Sequence, residues 1–227
     1  MDFSCQFSLN EQTVDNMHIY AFGSIWRGEV DASSDIDLLT IVDGRDLRFD
    51  AEIFSIYGYS RIKAIWREGN PFAWHLSLES RLLHSSDGVD FLQSIGSPER
   101  YQRSATDCAK FRDIFKAASE ALRNGSSSPI FELSSVFLAM RNIATCYSLG
   151  VLDKPDFSRR SALRLQGDSL EIEDKVFSMI ERARILSTRG HGSLLTEDEI
   201  EIIKVHLDRI ESWMDRLSEK AKAFHHE

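Results

Sequence analysis

The spacing of the apolar residues changes near residue 100, and this change limits the chain to an architecture with two different halves. Before it, short β-branched runs such as His18–Phe22 and Ile36–Val42 are bounded by Gly, Ser and Asp, which is typical of strands. After it, apolar residues recur at steps of three and four, the spacing of one helix face. The sequence therefore predicts an α+β fold, with a mixed N-terminal domain over residues 1–100 and a helical domain over residues 101–227.

Four helices are predicted in the second half, and capping residues mark several of their ends. The first is expected to stop at Asn124, and the second to run from Ser128 to Gly150. The fourth begins at a capping box formed by Thr196 and Glu199. The four apolar stripes are Cys108/Phe111/Phe115/Ala118/Leu122, Leu133/Val136/Met140/Ile143/Tyr147, Ile172/Val176/Ile180/Ala183 and Ile203/Leu207/Ile210/Met214/Leu217. Short connections between such helices favour an antiparallel bundle.

Three further segments of the first half have weaker patterns. Residues 51–57 (AEIFSIY) are a candidate strand, and residues 60–69 favour a helix. Residues 74–79 (WHLSLE) fit a helix and an alternating strand equally well. If this last segment is a strand, His75 and Glu79 lie on the same side of it.

Composition and charge exclude several classes of protein. The chain has 36 acidic and 27 basic residues, a net charge of -9, which argues against broad non-specific binding to a phosphate backbone. A nucleic acid stays open as a binding partner, but the net charge does not indicate one. Three cysteines fit neither a disulfide framework nor a zinc site, and no apolar run reaches ~18 residues. We therefore expect a cytoplasmic protein without a membrane segment.

The residues with the clearest chemical pattern lie in the segment FGSIWRGEVDASSDIDLL, residues 22–39. Gly23 and Ser24 directly follow a predicted strand, and Asp35 and Asp37 open the next one. Alternate strand residues point to the same side about 7 Å apart, so the two carboxylates can bind one or two divalent cations. A glycine at a strand end lets the backbone approach a phosphate, and a serine hydroxyl can bind its oxygens. The pattern predicts metal-assisted chemistry on a triphosphate.

This segment resembles the GS-x10-DxD signature of the polymerase-β-like nucleotidyltransferases, especially their minimal nucleotidyltransferase branch. Ten residues separate Ser24 from Asp35, and Arg27-Gly28 and Ser34 stand where that branch has its RG and SD. The resemblance implies an enzyme that binds an NTP, with ATP as the expected donor, and two Mg²⁺ ions. Such an enzyme transfers the nucleoside monophosphate to a hydroxyl group and releases pyrophosphate.

The resemblance also implies roles for individual residues. Asp35 and Asp37 are expected to bind both metal ions, and a third carboxylate is expected from a neighbouring strand. Glu52 is the preferred third catalytic and metal-binding acid, while Asp50 and Glu79 stay open as alternatives. The expected nucleotide-binding residues are Gly23, Ser24, Arg27 and Ser34.

The helical half resembles the HEPN-type domains that accompany such enzymes. Arg141-Asn142 matches the start of the HEPN nuclease motif, R-x4-6-H, but Cys146 and Tyr147 stand where its histidine is expected. We therefore do not expect nuclease activity from this domain. Residues 156–164 form a basic and polar patch, which is either a solvated connector or a contact for an anionic ligand.

Two hypotheses follow for the function. In the first, the chain is a Mg²⁺-dependent nucleotidyltransferase whose acceptor is a small hydroxyl compound such as an aminoglycoside, or a protein or RNA. In the second, it is a catalytically silent nucleotide-binding or antitoxin-like module that binds a protein partner. A homodimer or a toxin-type partner stays open under both hypotheses.

Overall fold

The computed structural model describes residues 16–28, 36–44 and 48–224, and it has the predicted α+β architecture. The first half contains a four-stranded mixed sheet with short helices. The second half consists of helices alone within the described part of the chain. Each half has its own cluster of buried apolar residues. The division of the chain between residues 100 and 101 stays a prediction.

The sheet contains β1 (Met17–Phe22), β2 (Asp37–Val42), β3 (Phe54–Gly58) and β4 (Ser80–Ser85). Their order across the sheet is β3-β2-β1-β4. Strand β1 runs antiparallel to β2 and β4, and β3 runs parallel to β2. The end of β1 and the starts of the other three strands therefore meet at one edge, which we call the upper edge.

Four helices accompany this sheet: α1 (Ser24–Arg27), α2 (Tyr59–Arg67), α3 (Pro71–Glu79) and α4 (Phe91–Ser94). Helices α2 and α3 place their apolar faces on the sheet, since burial of apolar surface is the main driving force of packing. The side chains of this core include Tyr20, Leu39, Ile41, Ile62, Trp66 and Leu76.

The second half contains α5 (Ser104–Arg123), α6 (Pro129–Gly150), α7 (Asp174–Arg189), α8 (Glu197–Val205) and α9 (Leu207–Phe224). Helix α6 is the central element, because α5, α7 and α9 all pack against it. Two short 3-10 turns interrupt the segment between α6 and α7.

The connection between the halves is held by hydrogen bonds from two tryptophans. The indole of Trp66 donates to the carbonyl of Gly96 (2.8 Å), and that of Trp74 donates to the carbonyl of Glu99 (3.0 Å). Gly69 has a φ of 60°, and a Cβ there would lie 2.5 Å from the Glu99 carbonyl oxygen. These contacts fix the start of the helical half against α2 and α3.

The structure differs from the sequence predictions in several elements. Helices α1 and α4 were not predicted, and Ile172, expected on the third helix of the bundle, lies before α7. The candidate strand 51–57 begins only at Phe54, because the carbonyl of Asp50 accepts hydrogen bonds from Ile53 and Phe54 and closes a turn there. The segment WHLSLE is helical, and the strand that follows it, β4, was not predicted. The expected fourth helix of the bundle is two helices, α8 and α9, separated at His206.

In the part of the chain that the structure describes, no helix is both long and apolar enough to cross a membrane.

Candidate active site

The upper edge of the sheet brings the GS motif together with residues that lie far apart in the sequence. Phe22, the last residue of β1, is opposite Asp37 on β2 and opposite Ser80 on β4. The motif residue Gly23 follows Phe22 directly, and Glu79 precedes Ser80. Adjacent strands lie about 4.8 Å apart, so these groups meet within a small area.

Gly23 has a backbone that only glycine adopts readily, with φ 82° and ψ -141°. A Cβ at this position would lie 2.6 Å from Oδ2 of Asp37, which is closer than two such atoms can approach. The backbone N–H of Gly23 donates to the carbonyl of Glu79 (3.1 Å). A side chain at this position would displace the Asp37 carboxylate, so the glycine lets that carboxylate lie directly against the backbone of the GS motif.

Arg27, the arginine of the motif, forms an ion pair with Glu79 through Oε2. The same oxygen accepts a hydrogen bond from Nε2 of His75 (3.0 Å), which lies one turn earlier on α3. The three side chains are largely buried, with exposed fractions of 18%, 16% and 13% for Arg27, Glu79 and His75. A charge-assisted contact of this kind is stronger when water is excluded, so Glu79 holds Arg27 in place.

The helical half contacts this cluster through Phe157, which lies between α6 and α7. Its ring stacks on the ring of His75, with centroids 4.7 Å apart and an interplanar angle of 18°. The His75 ring also makes an edge-on contact with the Phe22 ring, with the two centroids 5.6 Å apart. His75 is thus enclosed by aromatic rings from both halves of the molecule.

Arg141 on α6 lies next to this contact and was not predicted as part of the site. Its guanidinium donates to the carbonyl of Phe157 (3.0 Å), and its buried Nε has no hydrogen-bond partner among the described residues. Burial lowers the pKa of Arg141, and the positive charge of Arg27 lowers it further, whereas the negative charge of Asp37 raises it. Arg141 is therefore close enough to the upper edge to respond to both motif residues.

A sequence signal for Arg141 was present. The residue interrupts the largely apolar run VFLAMRNIATCY, and arginine is almost never buried without a partner or a function. Its resemblance to the HEPN motif drew attention to nuclease chemistry instead.

The candidate third acids occupy different places. Glu52 is exposed in the turn that leads into β3, whose start lies at the upper edge. Its backbone N–H donates to the carboxylate of Asp50 (2.9 Å), so Asp50 stabilises that turn. The carboxylate of Glu79 is bound by Arg27 and His75.

Two predicted site residues, Ser34 and Asp35, lie outside the described residues. Within the described ranges, no group of three or more His, Cys, Asp or Glu side chains is close enough to hold a metal ion. The chemistry of Asp37 nevertheless fits Mg²⁺, which prefers carboxylate oxygens and keeps several water ligands. Its exposed carboxylate lies against Gly23, the glycine of the GS motif.

A cavity of about 380 Å³ lies between the halves, at the start of α3 and away from Glu79 at its end. Asn70, Phe72, Tyr101 and Asn142 are among its lining residues. None of the described motif residues lines it, so we do not assign the chemistry to this cavity.

Comparison with known proteins gives one family match. Residues 8–86 match the model of the nucleotidyltransferase domain family, a range that ends one residue after β4. None of the curated proteins matches the sequence. A solved structure of a spectinomycin adenyltransferase from Enterococcus faecialis, with ATP and spectinomycin, is similar at a TM-score of 0.41 and 11% identity. The similarity covers 88% of this chain and 93% of that chain.

Proposed function

The chain belongs to the polymerase-β-like nucleotidyltransferase superfamily and is a nucleotidyltransferase, and from this premise we propose a Mg²⁺-dependent transfer to a hydroxyl acceptor. The observation that carries the proposal is the contact between the Asp37 carboxylate and the backbone of Gly23. This contact puts an acidic oxygen ligand beside the place where a triphosphate can approach the main chain.

In the proposed reaction, the acceptor hydroxyl oxygen forms a bond to the α-phosphorus of the NTP. The bond from that phosphorus to the bridging oxygen breaks, and pyrophosphate leaves with the electron pair. The hydroxyl proton passes to a carboxylate base. Catalysis of this reaction depends mainly on positioning the reactants and compensating the charge of the transition state, so the protein needs few reactive groups.

Asp37, together with Asp35 and Glu52, would hold Mg²⁺. The bound ions would neutralise charge on the phosphate oxygens and align the reacting groups. We propose Glu52 as the third acid because it is exposed in the turn that leads into β3, whereas the Glu79 carboxylate is bound to Arg27 and His75.

The remaining motif residues would bind the donor. Ser24 follows Gly23 at the start of α1, and we propose that its hydroxyl contacts a phosphate oxygen and that Ser34 serves the same purpose. Arg27 would compensate phosphate charge, and Glu79 would act as its positioning residue. ATP is the proposed donor, and aminoglycosides, proteins and RNA are the acceptor classes to test.

The decisive experiment measures transfer of label from NTPs radiolabelled at the α-phosphate, with a panel of hydroxyl acceptors and cell extract. Asp37→Asn should abolish labelling, because it removes a metal-binding charge next to the triphosphate. Asp43→Asn is the matched control, since Asp43 is exposed just beyond the other end of β2. No labelling of any acceptor by the wild type, despite Mg²⁺-dependent nucleotide binding, would favour the silent module that binds a protein partner.

The same assay identifies the third acid. Glu52→Gln should lower the rate by roughly a hundredfold or more, as expected for loss of a general base or metal ligand. Asp50→Asn should have a small effect, because its carboxylate accepts the backbone N–H of Glu52 and an amide oxygen can do the same. A larger loss in Glu79→Gln than in Glu52→Gln would transfer the catalytic assignment to Glu79.

A further inference from the structure

Half of the residues that line one pocket on the helical half are arginines. It lies between α6, α7 and the segment that carries Phe157, and its volume is about 340 Å³. Its charged and polar lining residues are Arg141, Arg159, Arg184, Arg189, Glu181 and Thr188. Four arginines and one glutamate thus surround one cavity in a chain whose net charge is -9.

This arrangement keeps like charges close together. Burial lowers the pKa of Arg184, and the charge of Arg189 lowers it further. Arg159 and Arg184 act in the same direction on Arg141. The lining holds four arginines against one glutamate, so positive side chains outnumber negative ones there, and arginine is the residue best suited to bind phosphate oxygens.

Hydrogen-bonding capacity is also available in the pocket wall. The buried Nε of Arg141 has no hydrogen-bond partner among the described residues. One terminal nitrogen of Arg184 donates to the hydroxyl of Ser134 (3.2 Å), which orients that guanidinium on α7 against α6. The pocket wall therefore carries positive charge, and the Arg184 guanidinium in it has a fixed orientation.

A short series of contacts links this pocket to the upper edge. Arg141 donates to the Phe157 carbonyl, and the Phe157 ring stacks on His75. His75 in turn binds Glu79, whose carbonyl accepts the N–H of Gly23. The pocket is thus a neighbour of the site that we propose for the donor, but it is built from a different half of the molecule.

We propose that this pocket binds a phosphate group of the acceptor, so that the hydroxyl compound that receives the nucleotide is anionic. The inference rests on the proposed function, in which the donor triphosphate occupies the upper edge next to Gly23 and Asp37. A cationic acceptor such as an aminoglycoside would be repelled by the four arginines. The acceptor phosphate is not changed in the reaction; it orients the hydroxyl group.

The pocket is tested first by titration calorimetry of the full chain with inorganic phosphate. Arg184→Gln should weaken phosphate binding by about tenfold or more, the usual effect of losing one charge-assisted contact. Arg189→Gln is a second variant in case Arg184→Gln does not fold. The matched control is Arg61→Gln, because Arg61 is exposed and forms an ion pair with Glu68 (3.2 Å) on the other half. Unchanged phosphate affinity in both pocket variants, or no binding by the wild type, would overturn the proposal.

A competition experiment separates the two sources of phosphate. A non-hydrolysable NTP analogue should bind together with inorganic phosphate, and Arg184→Gln should leave its affinity within about threefold. Displacement of phosphate by the analogue, together with weaker analogue binding in Arg184→Gln, would assign the pocket to the donor and contradict the acceptor assignment.

The acceptor assignment is then tested by label transfer to matched compounds, such as ribose and ribose phosphate. Transfer should favour the phosphorylated compound, and Arg184→Gln should remove that preference. Transfer to unphosphorylated compounds alone would contradict the inference and leave the proposed function standing. Phosphate binding that is lost in Arg184→Gln, without transfer to any acceptor, would support the pocket and contradict the proposed function.

Discussion

At the scale of single residues, the site depends on a steric requirement as well as on acidic groups. Gly23 has a positive φ of 82°, and the space next to its Cα is filled by a carboxylate oxygen of Asp37. The Asp37 carboxylate on β2 therefore occupies space that a side chain on residue 23, after the end of β1, would need. The residue pattern predicts both groups, but only the structure shows that they are in contact.

We predict that Gly23→Ala impairs catalysis more than stability. The new methyl group would displace the Asp37 carboxylate, and a shift of about 1 Å in a reacting group can lower a rate by roughly a hundredfold. Gly125→Ala is the matched control, because Gly125 has a φ of 78° but nothing within 4 Å of the added Cβ. The positive φ should cost each variant about 1–3 kcal/mol in the free energy of unfolding.

The measurement combines urea unfolding with the nucleotidyl transfer assay on both glycine variants. Equal losses of activity in Gly23→Ala and Gly125→Ala would show that backbone strain, and not the contact with Asp37, explains the effect.

At the scale of elements, the apolar pattern predicted most helices of the second half, because each buries a continuous stripe. Helices α5 and α6 end where Asn124 and Gly150 indicate. The break at His206 was missed, since Ile203 and Leu207 are both buried and keep one stripe through it. Nothing in the local sequence marks this break.

The missed strand β4 and the site residue Arg141 have a different explanation. Strand β4 is at the edge of the sheet, and of its two leucines Leu82 packs on the core while Leu83 is exposed. So short an alternation gives no clear period. Arg141 interrupts an apolar run, which marks it as unusual, but its place beside Phe157 depends on a long-range contact that a local sequence pattern does not show.

The helices of the bundle are also joined by a polar contact that the apolar stripes do not reveal. The carboxylate of Asp168 accepts from the hydroxyl of Tyr147 on α6 (2.7 Å) and from the ammonium of Lys220 on α9 (2.5 Å). Its carbonyl accepts from the indole of Trp213 (2.7 Å). Burial alone would raise the pKa of Asp168, but the hydrogen bonds from Lys220 and Tyr147 lower it overall.

We predict that Asp168→Asn lowers the free energy of unfolding by about 1–3 kcal/mol near neutral pH, because a buried charged hydrogen bond is lost. The pKa of Asp168 is lower in the folded chain, so its stabilising effect is complete above the unfolded value of ~3.9 and is lost as the pH falls through the folded value. The difference between wild type and variant should therefore be constant from about pH 5 to 7 and shrink below about pH 4.

Urea unfolding at several pH values measures this difference, with Asp113→Asn as the control because Asp113 is exposed and pairs with the neighbouring Arg112. A difference that grows as the pH falls would contradict the assigned role of the ionised carboxylate.

At the scale of the whole molecule, the candidate site belongs to both halves. The first half supplies the motif, but Phe157, whose ring stacks on His75, and Arg141, whose pKa the charge of Arg27 lowers, come from the second. The family match ends at residue 86, so it does not include Phe157 or Arg141. The helical half therefore acts as a wall of the site in addition to being a separately packed bundle.

We predict that Phe157→Leu lowers the rate of nucleotidyl transfer more than it lowers stability. Leucine fills part of the buried volume, so the loss in the free energy of unfolding should stay near 1–2 kcal/mol. It cannot stack on His75, and the cluster of His75, Glu79 and Arg27 would lose the surface that orients it. Phe131→Leu is the matched control, since Phe131 lies on α6 with an exposed fraction of 62%.

The measurement compares thermal unfolding with kcat and KM for the donor in both variants. If the stack orients Arg27 through His75 and Glu79, KM for the NTP should rise and kcat should fall in Phe157→Leu, with both unchanged in Phe131→Leu. Full activity in a folded Phe157→Leu protein would mean that the contact between Phe157 and His75 has no role in catalysis. Contacts within the first half alone would then hold Arg27 in place. The arginine pocket behind Phe157 would affect the donor site only through an acceptor bound to both.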